Sequence, residues 1–314
     1  MHEHVGPVVY YLDVHFLYAS IVCLAAWVLT SVWNGSATWK YWIWVATLLN
    51  FILPFGGFID RFGASSVSWA TQLPGLDEVG IGISRHLAAG AVILAIWLCG
   101  ALFMAARLVV RVRNDRRATA TAMAGRHGTA GLEPGFLAHG VPVRLSATGR
   151  EPSVDGVLRP YISLPLGIER LLSRKELDAV LLHEITHARR HDNLIGLLYE
   201  VALCGLWFHP LVWLMGFRLA MFRELSCDDS VIESSRGADL VTALAKLAAP
   251  GKPHSLRAGA ATFFSQRLTR LTVCEPERMS RVADSLLIIV FSAVFLACVL
   301  ETIAHTGSCF KVHM

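Results

Sequence analysis

The sequence predicts a mainly α-helical integral membrane protein. Four transmembrane helices carry a cytoplasmic α+β domain between the third and the fourth. A helical hairpin dips into the membrane or rests against it. Three observations lead there. Hydrophobic residues make up 54% of the 314 and charged residues only 17%, against about 25% charged in an average globular chain. Mean hydropathy is +0.50, too apolar for a soluble protein of this size. Four apolar runs approach the roughly 20 residues that cross a bilayer, and a histidine-glutamate motif follows the third run. This composition excludes a disordered or collagen-like chain. A net charge of +4 does not suggest direct nucleic-acid binding.

The first three runs are Val14–Trp33, Trp39–Ile59 and Leu87–Val110. Tyr10, Tyr11, Trp39, Tyr41 and Trp42 cluster at their ends, as aromatic side chains do at membrane interfaces. The first run lacks a basic flank and an Ala-x-Ala site, so a retained helix is expected rather than a cleaved signal. Arg107, Arg111, Arg113, Arg116, Arg117 and Arg126 follow the third run, whereas the loops before it hold only Lys40, Arg61 and Arg85. The positive-inside bias then puts the N-terminus and the Asp60–Ser84 loop outside and residues 111–282 in the cytoplasm. Asp13 and His15 read as interface residues. Residues 114–130 read as a flexible linker. Val141–Ala147 and Tyr161–Leu164 read as short strands, and Leu171–Arg190 as a helix opened by a Ser173/Glu176 capping box. Ser285–Ala304 is the fourth run. The expected divisions are 1–112, three membrane helices; 113–282, the cytoplasmic domain; 283–304, the fourth helix; and 305–314, a short outer tail. The seven cysteines form no CxxC pair, so no cysteine framework is expected.

His183-Glu184-Ile185-Thr186-His187 places two imidazoles on one helix face, four residues apart, where both can reach one zinc ion. Glu184 beside them can take a proton from a zinc-activated water. A third ligand is needed. The extended motif with glycine and a third histidine fails, because Arg190 and Asn193 stand at those places. Glu200, Glu224, Asp228, Asp229 and Glu233 remain. Glu224 and Asp228 stand out, since an ExxxD pair on one helix face can supply a ligand and a partner for a histidine N–H. On spacing alone Glu224 is balanced against an ordinary surface carboxylate. Leu194–Phe217 is apolar enough to span a bilayer, which would part His187 from Glu224. His209-Pro210 interrupts it. The expectation is therefore a hairpin, with Asp192–Trp207 descending, a turn at Phe208–Pro210, and Leu211–Ser235 returning. Cys227 reads as a small buried residue, His209 as a turn residue, and His191 and Asp192 as the end of the motif helix.

Several runs then carry a family resemblance: Pro152-Ser153-Val154-Asp155-Gly156, Pro160-Tyr161-Ile162-Ser163-Leu164-Pro165, HEITHARRHD at 183–192, Trp207–Trp213 and Arg223–Asp228. In order and spacing they resemble the BlaR/MecR-type antirepressor metallopeptidases, membrane gluzincins of bacteria. The resemblance implies a gluzincin-type zinc metallopeptidase domain in the bacterial cytoplasmic membrane with one zinc per chain. His183, His187 and Glu224 would be its ligands, Glu184 the general base, and Asp228 the partner of a zinc histidine. It implies cleavage of a cytoplasmic transcriptional repressor, and self-cleavage, for which Lys252–Arg270 is the expected exposed stretch. Substrate would lie along an edge strand, with Val141–Ala147 the candidate, and Arg223 and His209 are the candidates for steadying the oxyanion. Only His305–Met314 follow the fourth helix, so no penicillin-binding sensor domain is expected. Sensing would fall to the outer loop, the membrane helices or a separate sensor protein, and oligomers are compatible with this arrangement. The rival readings are an HtpX- or CAAX-protease-like zinc peptidase of quality control or maturation, and a non-enzymatic receptor with a structural zinc.

Overall fold

The computed structural model describes residues 5–33, 35–53, 87–124, 140–146, 151–247 and 267–272, and helical positions at 289, 291, 293, 295, 296 and 300. The elements are α1 (Val5–Val32), α2 (Ala37–Ile52), α3 (Leu87–Ala124), β1 (Val143–Ser146), β2 (Ser153–Asp155), β3 (Tyr161–Pro165), α4 (Ile168–Leu171), α5 (Arg174–Arg189), α6 (Asp192–Leu206), α7 (Pro210–Glu233) and α8 (Gly237–Leu247). The Asp60–Ser84 loop, most of the fourth apolar run and the C-terminal tail lie outside the described residues.

Two described helices hold segments long and apolar enough to cross a membrane, His15–Val32 and Ala91–Asn114. The second is exposed on nearly every face, with Val92, Ile93, Leu102 and Phe103 all more than half accessible, a surface suited to lipid rather than water. α3 also runs on to Ala124, through much of the stretch read as a linker. Ala118–Ala124 holds no glycine or proline, and alanine propagates a helix best. α2 spans 16 residues and ends before the expected Ile59, at the edge of the described residues. Ser36 caps its start, its side chain accepting from the Thr38 N–H.

The hairpin is present. α6 descends, Trp207 and Phe208 turn, and α7 returns from Pro210, whose missing N–H costs nothing at a first helical position. Its tip packs against all three apolar helices. His209 Nε2 is 3.1 Å from Ser20 Oγ on α1, the His209 ring meets Phe51 on α2, and Trp97 Nε1 on α3 donates to Gly205 O at 2.8 Å. At its base, Thr38 Oγ1 on α2 is 2.9 Å from Ser226 Oγ, and midway along α6 Glu200 meets Arg107 and Arg111 at the polar end of the α3 span. From Thr38 to Phe51 is about 20 Å at 1.5 Å per residue, so the hairpin runs beside α2 for that distance. Gly100 permits the close approach to α3, since a Cβ there would enter the Trp207 indole.

Beyond the hairpin base, β1, β3 and β2 form a sheet in that order, β1 parallel and β2 antiparallel to β3. β2 lies in the Pro152–Gly156 run and was not anticipated as a strand. Gly156, at φ 82°, turns the chain where a Cβ would strike Arg159 O. Ile162 and Leu164 of β3 point into a core shared with Leu177, Val180 and Leu181 of α5 and Leu240 of α8. A separate core joins α1, α2, α6 and the first part of α7 through Val22, Trp44, Leu48, Leu203 and Met215. α7 serves both: Val212–Leu225 pack in the membrane-side core, Val231 and Ile232 in the other. Glu224 and Asp228 stand where one core gives way to the other.

Candidate metal centre

α5 presents the motif. Its capping box forms as the sequence anticipates, Ser173 N–H donating to Glu176 Oε2 at 2.7 Å and Glu176 N–H to Ser173 Oγ at 3.4 Å. Lys246 of α8 bonds both Glu176 oxygens at 2.8 Å. With that end fixed, α5 packs Leu177, Val180, Leu181 and Ile185 into the core and turns His183 and His187 towards α7.

The two imidazoles and Glu224 converge. His183 Nε2 and His187 Nε2 are 3.2 Å apart, and Glu224 Oε2 lies 3.6 Å from the first and 3.8 Å from the second. Donor atoms held about 2.0–2.2 Å from a tetrahedral zinc are roughly 3.3–3.6 Å apart, so the three separations bracket the spacing that one such ion needs. Each ring has a carboxylate on its far side. His183 Nδ1 is 3.2 Å from Asp228 Oδ1, and His187 Nδ1 is 2.6 Å from Asp192 Oδ2. A carboxylate only accepts, so His187 Nδ1 carries hydrogen and, in a neutral ring, its Nε2 lone pair faces the Glu224 oxygen; His183 Nδ1 faces Asp228 as a close ion-pair contact without hydrogen-bond geometry. Three ligand-type atoms so close together need a cation or a proton between them. The residues therefore fit a metal on their own chemistry.

Arginines hold the carboxylates. Arg267 grips Asp228 with two bonds of 2.8 Å and reaches Glu224 Oε2 at 3.3 Å. Arg190 donates to Asp192 Oδ2 at 2.6 Å. Arg223 donates to Glu224 Oε1 through Nε at 3.2 Å and Nη2 at 3.1 Å, which leaves Oε2 for the histidines. Burial pushes the Glu224, Asp228 and Asp192 carboxyls up, but His183 beside Glu224, Arg267 beside Asp228 and His187 beside Asp192, with the remaining arginines, win and hold all three below the usual range. Burial would lower His183, yet Asp228 and Glu224 raise it to about 9. Glu184 moves the other way: burial raises it, against the opposing pull of His183 and His187.

Cys227 offers a competing third ligand, its Sγ grouping with His183 and His187 within 4.8 Å. It is fully buried, accepts from Arg190 Nη2 at 3.0 Å, and burial pushes its thiol well up. Glu224 is held ionised by its partners whereas the thiol is held protonated, which favours the carboxylate.

Other expected residues fall elsewhere. His209 lies at the hairpin tip, about 20 Å along α7 from Glu224, and cannot steady an oxyanion at this centre. Arg223 is taken up by Glu224. Glu200 pairs with α3, and Asp229 accepts from Ala37 N–H and pairs with Arg270. Of the stretch named for self-cleavage, residues 267–270 are helical and Arg267 packs against the centre; residues 252–266 lie outside the described residues. Sequence reasoning missed Arg267 and Arg190 and left Asp192 as a helix end. Only Asp192 left a trace, a carboxylate directly after the motif helix. His191 at φ 54° turns the chain so that Asp192 returns to His187.

Residues 14–239 match the family described as BlaR1 peptidase M56. Regulatory protein BlaR1 of Bacillus licheniformis is 39% identical over 85 residues, 27% of this chain and 14% of that protein. The methicillin resistance mecR1 proteins of Staphylococcus aureus (strain Mu50) and Staphylococcus epidermidis are each 26% identical over 98 residues, 31% of this chain and 17% of their own length. The matched stretch is thus under one fifth of each relative.

Proposed function

The chain belongs to the BlaR1 peptidase M56 family, and from that premise we propose that it is a membrane-embedded zinc metallopeptidase of signal transduction, with its site at the cytoplasmic face. The observation that carries this is the convergence of His183 Nε2, His187 Nε2 and Glu224 Oε2 within 3.2–3.8 Å, one residue away from Glu184. His183, His187 and Glu224 would hold one zinc per chain. When bound, the ion supplies Lewis-acid polarisation of a peptide carbonyl and lowers the pKa of a water molecule.

The chain's own residues do the rest. Glu184, its carboxyl raised by burial, takes a proton from the attacking water as the new C–O bond forms. It then gives that proton to the leaving nitrogen as the C–N bond breaks, yielding a carboxylate and an amine. Asp192 keeps the His187 imidazole in the tautomer that points Nε2 inward, and Asp228 stands behind the His183 ring. Among the described residues β1 pairs in the sheet with β3 alone, and its outer edge is the one proposed to take an extended peptide by backbone pairing. The substrate proposed is a cytoplasmic transcriptional repressor, and the chain itself before residue 267. This substrate class rests on the family resemblance. α6 and α7 form a re-entrant hairpin, beside membrane-crossing α1, α2 and α3.

Glu184→Gln keeps the shape and hydrogen bonding of the side chain but cannot accept a proton. Purified in detergent beside wild type, it should retain zinc and lose at least 100-fold in peptide cleavage, the upper reach of one general base being about 10,000-fold. Undiminished cleavage by the variant would overturn the assignment of Glu184.

A further inference from the structure

α2 begins at the hairpin base, and its first turns touch the groups that hold a metal-site histidine. Tyr41 is fully buried, and its hydroxyl donates to Asp192 Oδ1 at 2.7 Å. The other Asp192 oxygen accepts from His187 Nδ1 at 2.6 Å. The Tyr41 ring lies under the Arg190 guanidinium, 4.5 Å from its centroid, and Arg190 also donates to Asp192 Oδ2. One turn earlier, Thr38 meets Ser226 Oγ, which accepts from Arg190 as well. Ala37 N–H donates to Asp229 Oδ2 at 3.1 Å. Three successive contacts of one helix end therefore converge on Asp192, Arg190 and the α7 turn that bears Glu224.

We propose that Tyr41 is a positioning residue of the metal centre, and that the start of α2 is thereby part of it. Arg190 holds the Asp192 oxygen that faces His187, and the Tyr41 hydroxyl holds the other, which fixes the rotation of the carboxylate. A ring that served only to fill space would not need that hydroxyl. The carboxylate behind a metal-binding histidine sets that ring's orientation and basicity. A shift of α2 by one residue would carry the Tyr41 hydroxyl about 1.5 Å along the axis, enough to lengthen or misalign a 2.7 Å bond. Movement of a membrane helix would so be felt at His187. This rests on the reading above that His187 holds a metal.

The test is zinc affinity of the full-length protein in detergent, measured with zinc alone against a chromogenic chelator. Tyr41→Phe removes only the hydroxyl. Trp44→Phe is the control, because Trp44 is equally buried on α2 and its indole donates to Thr30 Oγ1 at 3.2 Å, away from the centre. Tyr41→Phe should weaken zinc binding about tenfold and Asp192→Asn by 10- to 100-fold, the usual range for such partners. The double variant should bind no more than about twofold more weakly than Asp192→Asn, since both act through one contact. Trp44→Phe should leave affinity unchanged. Unchanged affinity in Tyr41→Phe, losses that simply multiply, or an equal loss in Trp44→Phe would overturn the proposal. Wild type that binds no zinc would overturn the metal reading and this proposal with it.

Discussion

At the scale of the residue, the centre is a set of matched opposites. Each histidine has a carboxylate behind it and each of those carboxylates has an arginine behind it: His183–Asp228–Arg267 and His187–Asp192–Arg190. Two parts were legible in the sequence. Spacing of i, i+4 on one helix puts His183 beside His187, and the same spacing puts Asp228 one turn beyond Glu224. Arg267 was not legible, because it comes from a separate segment 39 residues beyond Asp228 with no periodicity linking the two. The arrangement also predicts how protons compete with metal. His183 is held at about 9 in the metal-free protein, above the ~6.5 of an unfolded histidine. Its contribution to metal-free stability is therefore full below about pH 6.5 and lost as pH rises through about 9. Zinc must displace that proton. Titrating zinc into metal-free protein at pH 7.5, in buffers of different ionisation enthalpy, should show close to one proton released from this site per zinc, declining above pH 9. Binding with no proton release at pH 7.5 would contradict the assignment.

At the scale of the element, the hairpin decides whether a centre can exist. An apolar run as long as Leu194–Phe217 would ordinarily be read as a span, and a span would leave His187 and Glu224 on opposite faces. His209-Pro210 exposes the break, because proline cannot continue the incoming helix but opens the outgoing one without loss. The turn was legible for that reason. β2 was not, being three residues held by pairing with β3 rather than by its own pattern. α8 was not either. It starts at Gly237 and holds Thr242, both weak helix formers, and it is stabilised by burying Leu240 and Ala243 and by the Lys246–Glu176 pair. The hairpin makes a prediction of its own. Single cysteines placed at His191 and Ser234, both exposed, in a background without native cysteines should react with an impermeant thiol reagent from the same face of sealed vesicles. Labelling from opposite faces would mean that the segment spans.

At the scale of the whole molecule, two cores share one helix. Hydropathy marked the apolar helices, and arginine placement gave the orientation proposed here. What a linear reading could not supply was how the membrane-side core meets the domain beyond it, since that junction is made of tertiary contacts between residues far apart in sequence: Tyr41 with Asp192, Thr38 with Ser226, Ala37 with Asp229. α7 crosses the junction and carries Glu224 there, so the third ligand reports on the whole arrangement. The most direct measurement is zinc per chain, after dialysis against a weak chelator, for wild type, Glu224→Gln and Cys227→Ala. About one zinc in wild type and in Cys227→Ala, with loss in Glu224→Gln, is the predicted result. Zinc retained in Glu224→Gln but lost in Cys227→Ala would move the third ligand to the thiol and contradict the centre described here.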